Sequence, residues 1–257
     1  MINHTIFEQL TDKARTFTYS SLNYVDFDEC KNATILSNNE NMILLHDTSQ
    51  TPHMLYFATH DVNALVQAIA DISGKLRLHF VPREIADKLT EMGFIEWAEF
   101  VDFWNPDLVK TASTLTNLSE PEYLQEDEGK QVVTVAHKCA LQSRGFEGVA
   151  LDWALETMVE GKVFVSRKDN KIIGFCGVSI YNKGTTLWIK VMAVDPAYQG
   201  QGIGKLLLSQ AIMYGVQQGA SKGFLATDML NDNAIGLYNN LGFVAKESER
   251  ELQMIRE

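Results

Sequence analysis

The chain has 257 residues, enough for one large domain or two smaller ones. Hydrophobic residues make up 46% and charged residues 21%, a globular balance that excludes disorder and collagen. Lys and Arg total 22 against 33 Asp and Glu, a net charge of −11. That charge argues against a nucleic-acid partner, which needs a basic face, and against a surface drawn to anionic membranes. The imbalance lies in the first half: residues 1–110 carry 8 basic and 16 acidic residues, the remainder 14 and 17.

Cys30, Cys139 and Cys176 are odd in number and widely spaced, with no CxxC pair. They predict neither a disulfide framework nor a zinc site, but buried free thiols in a reducing compartment. The opening residues 1–10 are polar and include Glu8, so they do not read as a secretory signal. The longest apolar run, near 172–180, is about half a membrane span. The expected location is the cytoplasm.

The first half is the less legible. Strands are expected at 42–46 and 54–58, a helix at 61–72, a strand at 76–81, a helix at 82–92 and a strand at 94–103. Pro82 suits a helix start. Residues 111–129 turn polar and acidic around Pro121 and read as a linker, with a first strand at 115–118. A boundary near 110 follows, giving domains 1–110 and 111–257.

Beyond the linker, helical spacing covers 132–141 and 150–159, and Gly161 ends the second helix. Strands follow at 163–166, 171–181 and 186–194, with turns at Asp169-Asn170 and Asn182-Lys183-Gly184. Asp195-Pro196 ends the third strand, because proline removes a ladder donor. A glycine-rich stretch at 199–204 opens a helix that ends near Gly219. A strand at 223–227, a helix at 231–241 stopped by Gly242, and a strand at 243–254 complete the chain. The end of each half has the same element order. Leu89-Thr90-Glu91-Met92-Gly93-Phe94 aligns with Tyr238-Asn239-Asn240-Leu241-Gly242-Phe243, which reads as a diverged internal duplication.

Gly200, Gly202 and Gly204 lie between a strand and a helix. Glycines there let backbone amides approach an anion, the helix N-terminus adds partial positive charge, and Lys205 adds a full one. The implied ligand is a phosphate. A dinucleotide fingerprint needs glycine at 205, where Lys205 stands. A P-loop needs glycine at 199 and Ser or Thr at 206, where the chain has Gln199 and Leu206.

Gln199-Gly200-Gln201-Gly202-Ile203-Gly204 resembles the Gln/Arg-x-x-Gly-x-Gly/Ala pyrophosphate loop of GNAT acetyltransferases. Met192-Ala193-Val194-Asp195-Pro196 resembles the strand end before it. Asn231-Asp232-Asn233-Ala234, Tyr238 and Gly242-Phe243 are similar to the family's later segment, and the whole resemblance covers about residues 112–257. It implies an α/β fold with a mixed, mostly antiparallel twisted sheet flanked by helices. The first half then reads as a second, degenerate GNAT-like lobe.

The resemblance also implies transfer of an acetyl group from acetyl-CoA to a small-molecule or peptide amine, in a ternary complex and without a metal. Met192, Ala193 and Val194 would line the pantetheine arm, and a bulge in their strand would polarise the thioester. The amides of Gln199, Gly200, Gln201, Gly202, Ile203 and Gly204, with Lys205, would hold the pyrophosphate. Asn231 would touch the pantetheine arm or order the following helix. Tyr238 would protonate the leaving thiolate, a feasible transfer between groups of pKa about 10 and 8.5.

The attacking amine must lose a proton, yet the strand Leu187-Trp188-Ile189-Lys190-Val191-Met192 carries no carboxylate where many family members place a Glu. Lys190 is a poor base. His137 is the one histidine beyond residue 110, and it falls on the first helix of that half. Asp228, Glu147 and Asp152 are the remaining candidates. Residues 142–148 would form the loop that sets the acceptor, with Phe146 and Trp153 as walls or packing residues. The first half has no glycine loop between 58 and 64, and Leu89 stands at the place of Tyr238. Its expected roles are shaping the acceptor site, dimerisation or completing the core. Two other functions stay open: a non-catalytic acyl-CoA sensor, and an interaction protein working through the acidic half.

Overall fold

A computed structural model describes residues 2–257, with the side chains of 247–249 outside the description. Its elements in chain order are α1 (His4–Ala14), β1 (Tyr19–Ser20), α2 (Phe27–Cys30), β2 (Thr34–Asn38), β3 (Met42–Asp47), β4 (His53–Thr59), α3 (Val62–Ala70), β5 (Leu76–Val81), α4 (Arg83–Glu91) and β6 (Ile95–Asn105). Then come α5 (Leu108–Ser113), β7 (Glu122–Tyr123), α6 (Gly129–Ala140), α7 (Leu151–Glu160), β8 (Gly161–Lys168), β9 (Lys171–Tyr181), β10 (Thr186–Val194), α8 (Ile203–Gln217), β11 (Lys222–Asp228), α9 (Asp232–Asn240) and β12 (Val244–Arg256).

The chain divides into two compact units, residues 1–99 with 250–257, and residues 100–249. The expected boundary at 110 instead falls inside α5. The reason is packing: α5 inserts Leu108 and Ala112 into the core of the second unit. The strand expected at 115–118 is irregular chain, and Asn117 at φ +56° breaks the extended run. The first edge strand is β7, two residues paired with Val165 and Phe164 of β8.

In the first unit the strand order is β2-β3-β4-β5-β12, and in the second β6-β11-β10-β9-β8-β7. Pairing is antiparallel except for β4 with β5 and β10 with β11, which are joined through α3 and α8. Each half sends its last strand into the other unit. Residues 100–105 of β6 pair with β11, and residues 252–256 of β12 pair with β5.

The repeat extends to backbone detail. At the end of α4 the amides of Met92, Gly93 and Phe94 donate to Leu89, Thr90 and Leu89. At the end of α9 those of Leu241, Gly242 and Phe243 donate to Tyr238, Asn239 and Tyr238. Gly93 and Gly242 hold φ +83° and +78°, the left-handed stop that glycine adopts without a Cβ penalty. Phe94 and Phe243 then plug the two cores, both essentially unexposed.

The sheet of the second unit is covered on both faces. One face packs Phe103, Phe164, Leu187, Leu225 and Phe243 with the α8 residues Leu207 and Ala211. The other packs Val163, Phe175 and Ala193 with Val132 and Ala136 of α6 and Ala154 of α7. Each fully buried large apolar side chain contributes about 1.5–3 kcal/mol. Cys30, Cys139 and Cys176 are buried free thiols. Among the described residues, no helix is long and apolar enough to cross a membrane.

Candidate functional site: a parted strand pair ending on a glycine loop

β10 pairs with β11 only from Thr186 to Trp188, opposite Lys222 to Phe224. Beyond that, β10 continues along β9 to Val194 while β11 follows β6 to Asp228. The two strands therefore part, and the backbone edges facing across the gap have no ladder with each other. Such edges can hold an extended, amide-bearing ligand in the manner of an added strand. The register between β10 and β9 shifts between Ile189 and Val191, so Lys190 is the extra residue of a β-bulge. A bulge leaves backbone groups unpaired, which here places them at the fork of the gap.

Met192, Ala193 and Val194 run along the open part of β10. Met192 and Val194 lean on the α8 core, and Ala193 packs under α6. The Val194 carbonyl accepts from the Gln199 side chain at 3.0 Å and from the Cys139 thiol at 3.2 Å. Asp195 ends the strand. One of its oxygens accepts from the Ala197 amide at 3.0 Å and the other from Lys138 Nζ at 2.5 Å. The Lys138 bond, more than the backbone bond, holds this carboxyl below the usual aspartate range. The ion pair ties α6 to the root of the glycine loop.

Gly200 and Gly202 hold φ +75° and +81°, and Gly202 at ψ 0° precedes α8 directly. A Cβ on either would meet no heavy atom within 4 Å, so the loop faces open space. Gly202 supplies no side chain to cap α8, and the first-turn amides of Ile203, Gly204 and Lys205 point along a helix start without intrahelical acceptors. Lys205 is exposed beside them, as are Gln199, Gly200 and Gln201. Gly204 sits in α8 with Leu237 Cδ2 3.4 Å from its Cβ position. Helix amides, full positive charge and open approach are together the features that suit an anionic ligand.

The equivalent helix of the first unit is closed. Asp61 caps α3, and its carboxylate accepts from the amides of Asn63 and Ala64 at 2.9 and 3.1 Å. A resident anion thus occupies the position where a phosphate would bind. Leu89, at the place of Tyr238, is fully buried.

Tyr238 is 7% exposed, among Phe103 and Phe243 with ring centroids 6.0 and 6.4 Å away. Burial, reinforced by the neighbouring Cys176 thiol, pushes its hydroxyl pKa well above the usual tyrosine value. Cys176 pairs with Met192 across β9 and β10, so Tyr238 lies beneath the open part of β10 on its α8 side. Asn231 caps α9 by accepting from the Ala234 amide at 3.2 Å. Of the two roles expected for it, the structure supplies the ordering of that helix.

The base candidates do not converge. Asp228 is buried and forked by Arg144, with Nε and Nη2 donating at 3.0 and 2.6 Å. Glu147 and Asp152 are exposed. Lys190 Nζ lies 3.3 Å from a Glu160 oxygen and over the Trp188 ring at 5.4 Å. Trp153 stacks its indole over Gly177 and packs on Phe175 at 6.1 Å, a core role rather than a pocket wall. Phe146 is half-buried against the same core. Among the described residues, no three His, Cys, Asp or Glu side chains are grouped to hold a metal ion.

Sequence reasoning missed the pairs Lys138–Asp195, Arg144–Asp228 and Lys190–Glu160. Each joins residues at least 30 positions apart, and no local pattern signals such pairs.

Residues 122–243 match the model of the acetyltransferase (GNAT) family. A mycothiol acetyltransferase of Streptomyces coelicolor is 29% identical over 86 residues, which is 34% of this chain and 28% of that protein. A GNAT-family acetyltransferase from Colwellia psychrerythraea superimposes with TM-score 0.59 at 13% identity, covering 99% of this chain and 97% of that one. A tandem GNAT protein from the clavulanic acid biosynthesis pathway does so with TM-score 0.56 at 14% identity, covering 84% and 78%. With the parted strands, the bulge and the glycine-led helix already in place, residues 122–243 are a GNAT-family acetyltransferase domain.

Proposed function

We propose that this domain transfers an acetyl group from acetyl-CoA to an amine by direct attack in a ternary complex. The observation that carries the reading is the gap between β10 and β11, which ends on the uncapped, glycine-led start of α8. Acetyl-CoA supplies an activated thioester, so the protein need only bind, orient and manage protons. The amides of residues 200–205 and Lys205 hold the pyrophosphate. The free edge along Met192, Ala193 and Val194 pairs with the pantetheine amides, and an unpaired amide at the Lys190 bulge faces the oxygen that gains charge. Asn231 fixes α9 and with it Tyr238.

Tyr238 holds its proton at neutral pH as any tyrosine does, and burial, which raises its pKa, makes it a weaker acid that must be matched to the thiolate by a close hydrogen bond. Its part is to donate a hydrogen bond to the departing thiolate and to release the proton as that charge develops. Asp228 and Lys190 are held by Arg144 and Glu160, so the amine loses its proton to solvent. The first unit binds no CoA in this reading, because Asp61 already fills its helix start. Cytoplasmic residence fits the free thiols. The same engaged carboxylates also suit an acyl-CoA sensor without turnover.

CoA should raise the melting temperature, and acetyl-CoA with an amine should release free thiol. Absence of both overturns the CoA reading. Stabilisation without release for any amine leaves the sensor.

A further inference from the structure

One face of the second unit carries an aromatic row that the core does not use. Trp104 of β6 pairs with Phe224 of β11, and Phe224 pairs with Trp188 of β10. Their neighbours Phe103, Leu187, Ile189 and Leu225 all point into the α8 core. The three rings therefore share the opposite face, the one on which α6 and α7 pack. Ring centroids are 4.8 Å apart for Trp104 and Phe224 and 6.5 Å for Phe224 and Trp188. Tyr181 extends the row 6.3 Å from Trp188. Trp188 is 37% exposed, and the others are half-buried.

The row leads to the reacting end of the gap. Along β11 the next residue on this face is Ala226, small and exposed, and then Asp228 under Arg144. Along β10 it is the bulge residue Lys190, whose ammonium already lies over Trp188 and is neutralised by Glu160. A cation is thus accommodated on this platform, and a carboxylate is at hand. Tyr238 is on the other face, so the acid and this platform approach the gap from opposite sides.

Resting on the transferase reading, we infer that the Trp104–Phe224–Trp188 row is the acceptor platform and that the acceptor is an arylalkylamine. Its ring lies on Phe224 and Trp188, and its amine reaches the bulge. Trp188 and Lys190 are two strand steps apart, about 6.6 Å along the chain. That span suits an amine carried two or three bonds from a ring. The neutral amine nitrogen forms the bond to the acetyl carbon as the thioester C–S bond breaks. The thiolate takes the Tyr238 proton, the amide nitrogen loses its own to water, and the Tyr238 phenolate recovers a proton from water.

The test is steady-state thiol release from acetyl-CoA with phenethylamine, tyramine and hexylamine. The expected result is a kcat/KM at least about tenfold higher for the two aryl amines, given the worth of aromatic stacking with ring burial. Trp188→Leu, which keeps apolar volume, should raise the phenethylamine KM about tenfold and leave the acetyl-CoA KM unchanged, and Trp188→Phe should restore most of it. Equal use of hexylamine overturns the platform while leaving the transferase intact, as does an unchanged phenethylamine KM in Trp188→Leu. A dimer that Trp188→Leu converts to monomer, with KM unmoved, overturns it in favour of a second copy on this face. No CoA stabilisation and no release with any amine overturns both readings.

Discussion

Gly202 offers the sharpest test of the proposed diphosphate cradle, because its two roles separate in magnitude and in assay. The residue holds φ +81° with ψ 0° at the start of α8, and a Cβ there meets nothing within 4 Å. Gly202→Ala is therefore opposed by its own backbone, at about 1–2 kcal/mol, and not by a clash. A cost of that size lowers the melting temperature by about 2–4 °C per kcal/mol in a domain of 150–250 residues. The new methyl stands in the open space above the loop amides, where the pyrophosphate would sit. Loss of one charge-assisted hydrogen bond costs about 1.5–3 kcal/mol, at least a tenfold loss of affinity. Calorimetric titration should show CoA weakened at least tenfold, with S-acetylpantetheine, which lacks the pyrophosphate, bound as by the wild type. A melting temperature lowered as expected together with an unchanged CoA Kd would refute the cradle.

Gly204→Ala lies within α8 with ordinary contact to Leu237, so it should gain about 0.5–1 kcal/mol of thermal stability. Tyr238→Phe should lower kcat by about 10²–10⁴-fold with acetyl-CoA affinity unchanged, and equal turnover would remove Tyr238 from its role. Because its proton is held above the usual tyrosine range, the wild type should show no loss of rate up to pH 9 from tyrosinate formation. Arg144→Met should cost about 1–3 kcal/mol by leaving the buried Asp228 carboxylate without its partner, and should raise the acceptor KM by loosening residues 142–148. Asp195 has its pKa lowered in the folded state, so its contribution is present above the unfolded value near 3.9 and fades as pH falls through the folded one. Asp195→Asn keeps the cap oxygen for Ala197 and should flatten that acid limb of the melting curve; an unchanged limb would exclude the Lys138 pair as its source.

Much of the second unit was legible because its signals are local. The apolar run in 186–194, the Asp195-Pro196 stop, the glycines before α8 and the Gly242 stop each fix a backbone conformation within a few residues. The backbone of Gly200–Lys205 could be read for the same reason. The bulge at Lys190 could not, since it is defined by pairing with β9. The aromatic row was equally hidden, because Trp104, Phe224 and Trp188 meet only through the register of three strands drawn from distant sequence. Residues 1–41 went unassigned because α2 and β1 are too short for a period to show, while α1 buries only Leu10 and Ala14 and β2 is almost wholly exposed, so neither carries a strong apolar pattern. The misplaced boundary has one cause. Composition changes at 111, but the chain had already crossed into the second unit within β6.

The exchange of last strands has a consequence for synthesis and for dissection. The first unit needs Leu252, Met254 and Ile255 opposite β5, yet they follow the entire second unit in the chain. During translation the β5 edge, Leu76–Val81, waits without its neighbour while some 170 residues are added, a long exposure for an apolar strand rim. A nascent chain halted before residue 250 would hold a finished transferase unit attached to an unfinished sheet. Cutting the gene at the acidic linker would leave one fragment without β12 and the other without the β6 residues that flank β11. The two halves are consecutive in sequence but interlocked in folding, so neither is a module that evolution or an experimenter can move alone.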